Sequence, residues 1–220
     1  MKILELFAGS RSLGKVAEEL GHEVFSVDIE NFDNIDLVID IQELTTDMIP
    51  FKPDMIWASP PCTYFSVASI GKHWNKNNTP KTNEARLGVK IVKKTLQIIE
   101  ELKPKYWHIE NPRGKLRKLE FMQSLPRATV SYCQYGDTRM KPTDIFTNAL
   151  DSWNPKPMCK NYKYDEEGNI INRHCHHESA RRGAKTGTQG LKDNYERSKI
   201  PRALMLEIII SIDNNLREWS

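Results

Sequence analysis

No two of the four cysteines, Cys62, Cys133, Cys159 and Cys175, form a C-x2-C pair. A standard zinc finger is thereby excluded, and in a reducing compartment such thiols stay free or bind metal rather than forming bridges. No apolar run approaches the ~18 residues a membrane helix needs, so no membrane partnership is expected. Met1 leads directly into an apolar stretch without the basic start and small-residue cleavage site of a secretory leader, and the expected location is the cytoplasm. Internal repeats and low-complexity tracts are also lacking, which removes solenoids and disordered scaffolds. Neither sign of charge dominates, since 32 Lys and Arg face 29 Asp and Glu. At 220 residues, 39% of them hydrophobic, the chain can build one sizeable core with room for a small appendage.

What is present is an alternation of short β-rich runs with helical patterns. Strands are expected over 2–7, 23–28, 37–41, 54–58, 106–110 and 128–134, and helices over 13–20, 83–102 and 115–124. Such an order implies an α/β fold, a mostly parallel sheet with helices on both faces. In the long helix Leu87, Ile91, Ile98 and Leu102 form the expected core-facing stripe; near the C-terminus Leu204, Ile208, Ile212 and Leu216 form another.

Between 151 and 197 the rhythm breaks, with Pro155, Pro157, Gly168, Gly183, Gly187 and Gly190 and little apolar periodicity. The expected organisation is an α/β domain over 1–150, a small basic insert over 151–197, and a helix over 198–220 that returns to the domain. Residues 156–202 hold eleven Lys or Arg against six Asp or Glu, an excess of five within a net charge of +3. A locally basic segment on a near-neutral body suits a polyanion, although a solvated loop has the same composition. Cys159, Cys175 and His176, with His174 and His177 alongside, could assemble a structural zinc site stabilising a lobe too small for its own core.

Three segments have the look of chemistry. The first runs Leu4-Glu5-Leu6-Phe7-Ala8-Gly9-Ser10-Arg11-Ser12-Leu13-Gly14, a strand ending in a small-residue turn that opens a helix. Gly9 lets a ligand approach the backbone, the helix start offers N–H groups, and Asp28 at the end of the next strand can accept hydrogen bonds from ribose hydroxyls. A second segment, Pro60-Pro61-Cys62, follows the strand ending at Ala58; the paired prolines fix the backbone and present the thiol in a defined direction. Alone, a single cysteine is as readily a small buried hydrophobe. The third is Glu110-Asn111-Pro112, again at a strand's carboxyl end. If its strand neighbours the one before Cys62, both side chains face one crevice, and a buried carboxyl there can hold and donate a proton.

Taken in order, these segments resemble the DNA cytosine-5 methyltransferases, and the likeness spans most of the chain, with Tyr135-Gly136 and Ile200-Pro201 similar to later motifs of the family. The resemblance implies a Rossmann-like class I methyltransferase fold that carries S-adenosylmethionine. It further implies cofactor contacts at Phe7, Ala8, Gly9, Ser10, Arg11, Ser12, Leu13, Asp28, Ile29, Asp40, Ile41 and Pro60. Cys62 becomes the nucleophile and Glu110 the acid, with Pro61, Ser66, Asn111, Arg139 and Lys141 around the substrate. Three departures stand out. Ser10, Arg11 and Ser12 replace glycine-rich sequence, Pro112 replaces valine, and Arg139, Lys141 and Thr143 stand where the family alternates Gln, Arg and Arg. Only the short insert is available for target recognition. The implied activity is methylation of cytosine C5 in DNA, as in compact phage-like members of a bacterial or phage-infected cell. Two other readings are RNA or a free nucleotide as substrate, and an inactive nucleic-acid-binding homologue. The sequence identifies no protein partner.

Overall fold

The computed structural model describes residues 1–160, 163–167, 169–172 and 193–218. Seven strands form one sheet: β1 (Lys2–Leu6), β2 (Glu23–Asp28), β3 (Leu37–Val38), β4 (Met55–Ala58), β5 (Tyr106–Pro112), β6 (Arg127–Ser131) and β7 (Pro142–Thr147). Their spatial order is β3-β2-β1-β4-β5-β7-β6. The pairs β1–β2, β2–β3, β1–β4 and β4–β5 are parallel, whereas β7 runs antiparallel to both β5 and β6. The chain leaves β1 toward β2 and later returns to β1's other side as β4, so the strand order reverses there and opens a crevice at the carboxyl ends. A two-stranded hairpin, β8 (Lys163–Tyr164) and β9 (Ile170–Asn172), lies apart.

The helices are α1 (Ser12–Glu19), α2 (Ile70–His73), α3 (Asn83–Leu102), α4 (Glu120–Gln123), α5 (Asn194–Ser198) and α6 (Arg202–Glu218). Because side chains alternate across a strand, each central strand feeds two cores. Leu4, Leu6, Ile56, Ala58 and Ile109 join Val92 and Ile98 of α3 on one face; Ile3, Met55 and Trp57 join Val16 of α1 and Leu204, Ile208 and Ile212 of α6 on the other. Thr82 starts α3 by accepting a hydrogen bond from the Ala85 amide at 3.3 Å.

Four expectations need correction. In α3 the buried stripe is Ala85, Gly88, Val92, Thr95 and Ile99 with Ile98, whereas Leu87 is 46% exposed. Small residues face inward because the chain after Cys62 packs there; a Cβ on Gly88 would stand 2.9 Å from the Tyr64 ring. The helix expected over 115–124 is a short turn followed by the four-residue α4. β6 ends at Ser131, where the chain tightens into a turn through Tyr132–Tyr135. The strand expected over 37–41 is only Leu37–Val38, and β7 went unforeseen.

Candidate active site

The first half of the crevice is the loop joining β1 to α1. Phe7, Gly9 and Arg11 all have positive φ, at 58°, 43° and 50°, so the chain coils tightly at the strand end. A buried carboxylate underpins it. Glu5 accepts from the amides of Leu13 at 3.2 Å and Gly14 at 3.1 Å and from the Ser26 hydroxyl at 3.1 Å. Burial pushes its pKa up to about 7, against the pull of those donors and of Arg11. The Arg11 side chain turns inward, donating to Ser26 at 3.0 Å and pairing with Glu18. Arg11 therefore braces the loop through Ser26 and Glu18. Asp28 accepts from the Gly9 and Glu30 amides, both at 2.9 Å, tying the loop to the end of β2. Ile29 next to it is 61% exposed, Ile41 is buried, and Asp40 accepts from the Gln42 amide at 2.9 Å. Ser10 and Ser12 share a hydrogen bond at 2.8 Å, and Ser12 also accepts the Ile200 amide at 3.1 Å, drawing the start of the C-terminal segment onto the loop.

The second half lies beyond β4 and β5, which are parallel neighbours with Ala58 opposite Ile109. Asn111 donates from Nδ2 to the Pro60 carbonyl at 2.9 Å, fastening the Pro61-Cys62 turn to β5. Past Cys62 the chain is anchored by Phe65, whose carbonyl accepts the Lys115 amide at 2.7 Å, and by Trp74, which donates to the Tyr64 carbonyl at 2.7 Å. Gly114 is required at that anchor, since a Cβ there would meet the Phe65 carbonyl oxygen at 2.3 Å. The Ser66 hydroxyl stays within this turn, 3.3 Å from that of Ser69.

Cys62, Glu110 and Lys141 share one electrostatic environment. Burial raises the Cys62 thiol, and the Glu110 charge raises it further, while Lys141 and Arg197 pull it down. The buried Glu110 carboxyl is raised by its own burial, opposed by Lys141 and by a hydrogen bond from the Tyr132 hydroxyl to Oε1 at 2.9 Å. Lys141 is depressed by burial and supported by Glu110 and Cys62. Its Nζ donates to the Arg197 carbonyl at 3.0 Å and lies 4.6 Å from the Tyr132 ring centroid. Arg139 is used differently: it forks onto Asp137 and reaches the carbonyls of Arg197 at 3.4 Å and Lys199 at 3.3 Å. Of the two basic residues expected at the substrate, Lys141 joins the Cys62–Glu110 group and Arg139 braces the loop.

Cys175 and His176 lie outside the described residues, and Cys159 is buried with its amide donating to the Ser131 hydroxyl at 3.1 Å. Among the described residues no cluster of His, Cys, Asp and Glu could hold a metal ion. No helix among them is long and apolar enough to cross a membrane. Sequence reasoning passed over Glu5 and Tyr132. Glu5 carried a signal, a lone acid within an apolar strand; Tyr132 carried none.

A parallel sheet with a reversed strand near one edge and a crevice over β1 and β4 defines the Rossmann-like fold of class I methyltransferases. Two solved structures share that fold: the Entamoeba histolytica methyltransferase EhMeth, with a TM-score of 0.57 at 10% identity over 98% of both chains, and an E. coli protein described as a DNA modification methyltransferase encoded within a prophage. The latter has a TM-score of 0.52 at 16% identity over 72% of this chain and 52% of its own. The sequence profile of C-5 cytosine-specific DNA methylases matches residues 1–123, more than half of the chain, and the chain belongs to that family. A relative in Frog virus 3 (isolate Goorha), named "Probable DNA (cytosine-5)-methyltransferase", is 28% identical over 220 residues, covering 95% of this chain and 99% of the relative. The protein is thus an enzyme of the cytosine-5 DNA methyltransferase family, for which S-adenosylmethionine is the implied cofactor and DNA the implied substrate.

Proposed function

We propose that the enzyme methylates cytosine C5 in DNA through a covalent bond between Cys62 and the base, with Glu110 as the acid. The observation that carries this reading is the meeting of Cys62, Glu110 and Lys141 at the carboxyl ends of β4 and β5, beside the β1–α1 loop.

The β1–α1 loop fits the cofactor. Exposed Ile29, next to Asp28, offers an apolar face, and the carboxylates of Asp28 and Asp40 offer acceptors, which suits an adenine and its ribose hydroxyls. Both Asp28 oxygens already take one amide, and each keeps a second lone pair for a hydroxyl. The turn from Phe7 to Leu13, with the Ser10 and Ser12 hydroxyls and the start of α1, suits the amino-acid end, and Pro60 borders it from β4. When bound there, S-adenosylmethionine supplies an electrophilic methyl group on a sulfonium.

Carbon 5 of cytosine is a weak nucleophile until C6 is attacked. The Cys62 thiolate forms a bond to C6, while Glu110 gives its proton to N3, so that electron density accumulates at C5. After methylation C5 gives its proton to water, the C–H electrons restore the C5–C6 double bond as the C6–S bond breaks with its electrons returning to Cys62, and the N3 proton returns to Glu110. A charged Glu110 opposes thiolate formation and a protonated one does not, so the pair avoids carrying two negative charges at once, with Lys141 balancing a single one. The base must leave the duplex stack to reach these groups, at a cost of a few kcal/mol. The basic stretch within 156–202 is assigned to the DNA backbone, making residues 151–197 the lobe that meets the substrate and 1–150 with 198–220 the catalytic body.

Incubation with methyl-labelled S-adenosylmethionine and, in parallel, duplex DNA, RNA or dCMP tests the reading. Label on C5 of DNA cytosine is the expected result. Label on RNA or dCMP alone, or binding without transfer, would overturn it.

A further inference from the structure

Tyr132 is fully buried at the start of the turn after β6, packed with Trp153 and Ile145 in the core beneath the sheet. A phenylalanine would fill the same space. Its hydroxyl, however, is a polar group taken out of water, and such a group costs free energy unless it finds a partner. That partner is Oε1 of Glu110, at 2.9 Å. Among the described residues, no hydrogen bond reaches Oε2 of Glu110. The ring itself is fixed from two sides, by the Tyr132 amide donating to the Met140 carbonyl at 2.9 Å and by Lys141 over its face.

We propose that Tyr132 is a positioning residue for the acid: its hydroxyl holds one oxygen of Glu110 so that the other is presented to the target base. The proposal rests on the reading of Glu110 as the acid. The phenol proton stays in place across the working pH range, because burial and the Glu110 charge hold Tyr132 well above its ordinary titration. Tyr132 is therefore a constant donor. It stabilises the carboxylate that remains after the proton has gone to N3, and it fixes which oxygen carried that proton.

The charged and titratable groups around Glu110 come from four directions: Cys62 after β4, Lys141 before β7, Asp144 on β7, and Tyr132 itself with Arg139 behind it. Lys141 and Tyr132 favour the carboxylate, whereas Asp144 favours the acid. Removal of the Tyr132 hydroxyl shifts the balance toward the acid, so Glu110 in a Tyr132→Phe variant titrates at higher pH than in the wild type.

The test is Tyr132→Phe, assayed for methyl transfer to duplex DNA across pH, with the melting temperature recorded. The expected result is a folded protein whose kcat falls about 10- to 100-fold, whose KM for DNA changes little, and whose alkaline limb of kcat moves to higher pH. In a Glu110→Gln background the same change should cost nothing further, since Tyr132 acts through the carboxyl. An unchanged kcat, or a loss that leaves the pH profile in place and adds to Glu110→Gln, would overturn the proposal. Fluorotyrosine at position 132 gives the opposite perturbation in an intact core and remains informative if Tyr132→Phe does not fold. A stronger donor should move the limb to lower pH, and an unmoved limb counts against the role. Inactivity of the wild type on DNA would instead remove the functional reading on which this one stands.

Discussion

Two carboxylates are buried on opposite sides of the switch point, Glu5 under the β1–α1 loop and Glu110 at the end of β5, and they are surrounded in different ways. Glu5 takes two backbone amides and a serine hydroxyl, with Arg11 in support. Glu110 takes a single tyrosine hydroxyl. Both are raised by burial, but Glu5 is saturated with donors and holds a loop together, while Glu110 keeps an oxygen unassigned next to a thiol and a lysine. A saturated buried acid is a structural fastening. One with spare capacity beside a nucleophile is poised for proton transfer.

Substitutions on the two sides therefore fail in different ways. The largest effect belongs to the catalytic side. Cys62→Ala should bring methyl transfer to the detection limit, and Glu110→Gln should cost about 10²–10⁴ in kcat, as expected for loss of a general acid. Both variants should melt near the wild type and bind S-adenosylmethionine about as well, which calorimetric titration can measure. Undiminished methylation by Cys62→Ala would rule out the covalent route.

On the cofactor side the comparison is sharpened by pH. A folded pKa of about 7, against an unfolded value near 4.5, means that the native state holds the Glu5 proton more tightly. Its contribution is complete below pH 4.5 and is lost as pH rises toward 7, a decline of about 3 kcal/mol. Glu110 slopes the same way, so the measurement is the difference between wild type and Glu5→Gln in denaturant unfolding across pH 4.5 to 8. The glutamine variant should show the flatter curve. Parallel curves would mean that Glu5 is not the group that titrates. The site is too tight for larger changes, because a Cβ on Gly14 would stand 2.5 Å from Glu5 Oε2.

How much of this was legible beforehand follows from the range of each interaction. The parallel strands β1, β2, β4 and β5 announce themselves through short apolar runs between turn signals, and Cys62 and Glu110 through their place at strand ends. β7 escaped notice because its sequence, Pro142-Thr143-Asp144-Ile145-Phe146-Thr147, mixes polar and apolar residues without a clean alternation. It carries Asp144, which is buried against Arg117 and Thr129. Periodicity places Leu87 in the core, but the helix is rotated by the need to seat Gly88 against the chain after Cys62, a long-range demand invisible in a local window. Arg11 reads as a loop residue facing a ligand, yet its side chain is engaged by Glu18 and Ser26, partners seven and fifteen residues away. Local patterning sufficed for the parallel strands β1, β2, β4 and β5, whereas side-chain direction was decided by partners distant in the chain.

The smallest effect tests whether every polar group near Glu110 serves the chemistry. His108 lies two residues earlier on β5, is fully buried, and stacks on Trp57 with ring centroids 5.7 Å apart. Among the described residues neither ring nitrogen has a hydrogen-bond partner, and burial pushes its pKa down to about 3, so it is neutral. Two uncompensated polar atoms in an apolar core are a liability rather than a device. His108→Leu, close in volume, should leave kcat and its pH profile unchanged while raising stability at neutral pH by about 1 kcal/mol, or about 2–4 °C in melting temperature. That gain should widen as pH falls below 6.5, because the unfolded wild type takes up a proton there that the folded protein refuses down to about pH 3. A drop in kcat at unchanged stability would instead make His108 part of the site and erase the distinction between satisfied, poised and idle groups on which the comparison of Glu5 with Glu110 depends.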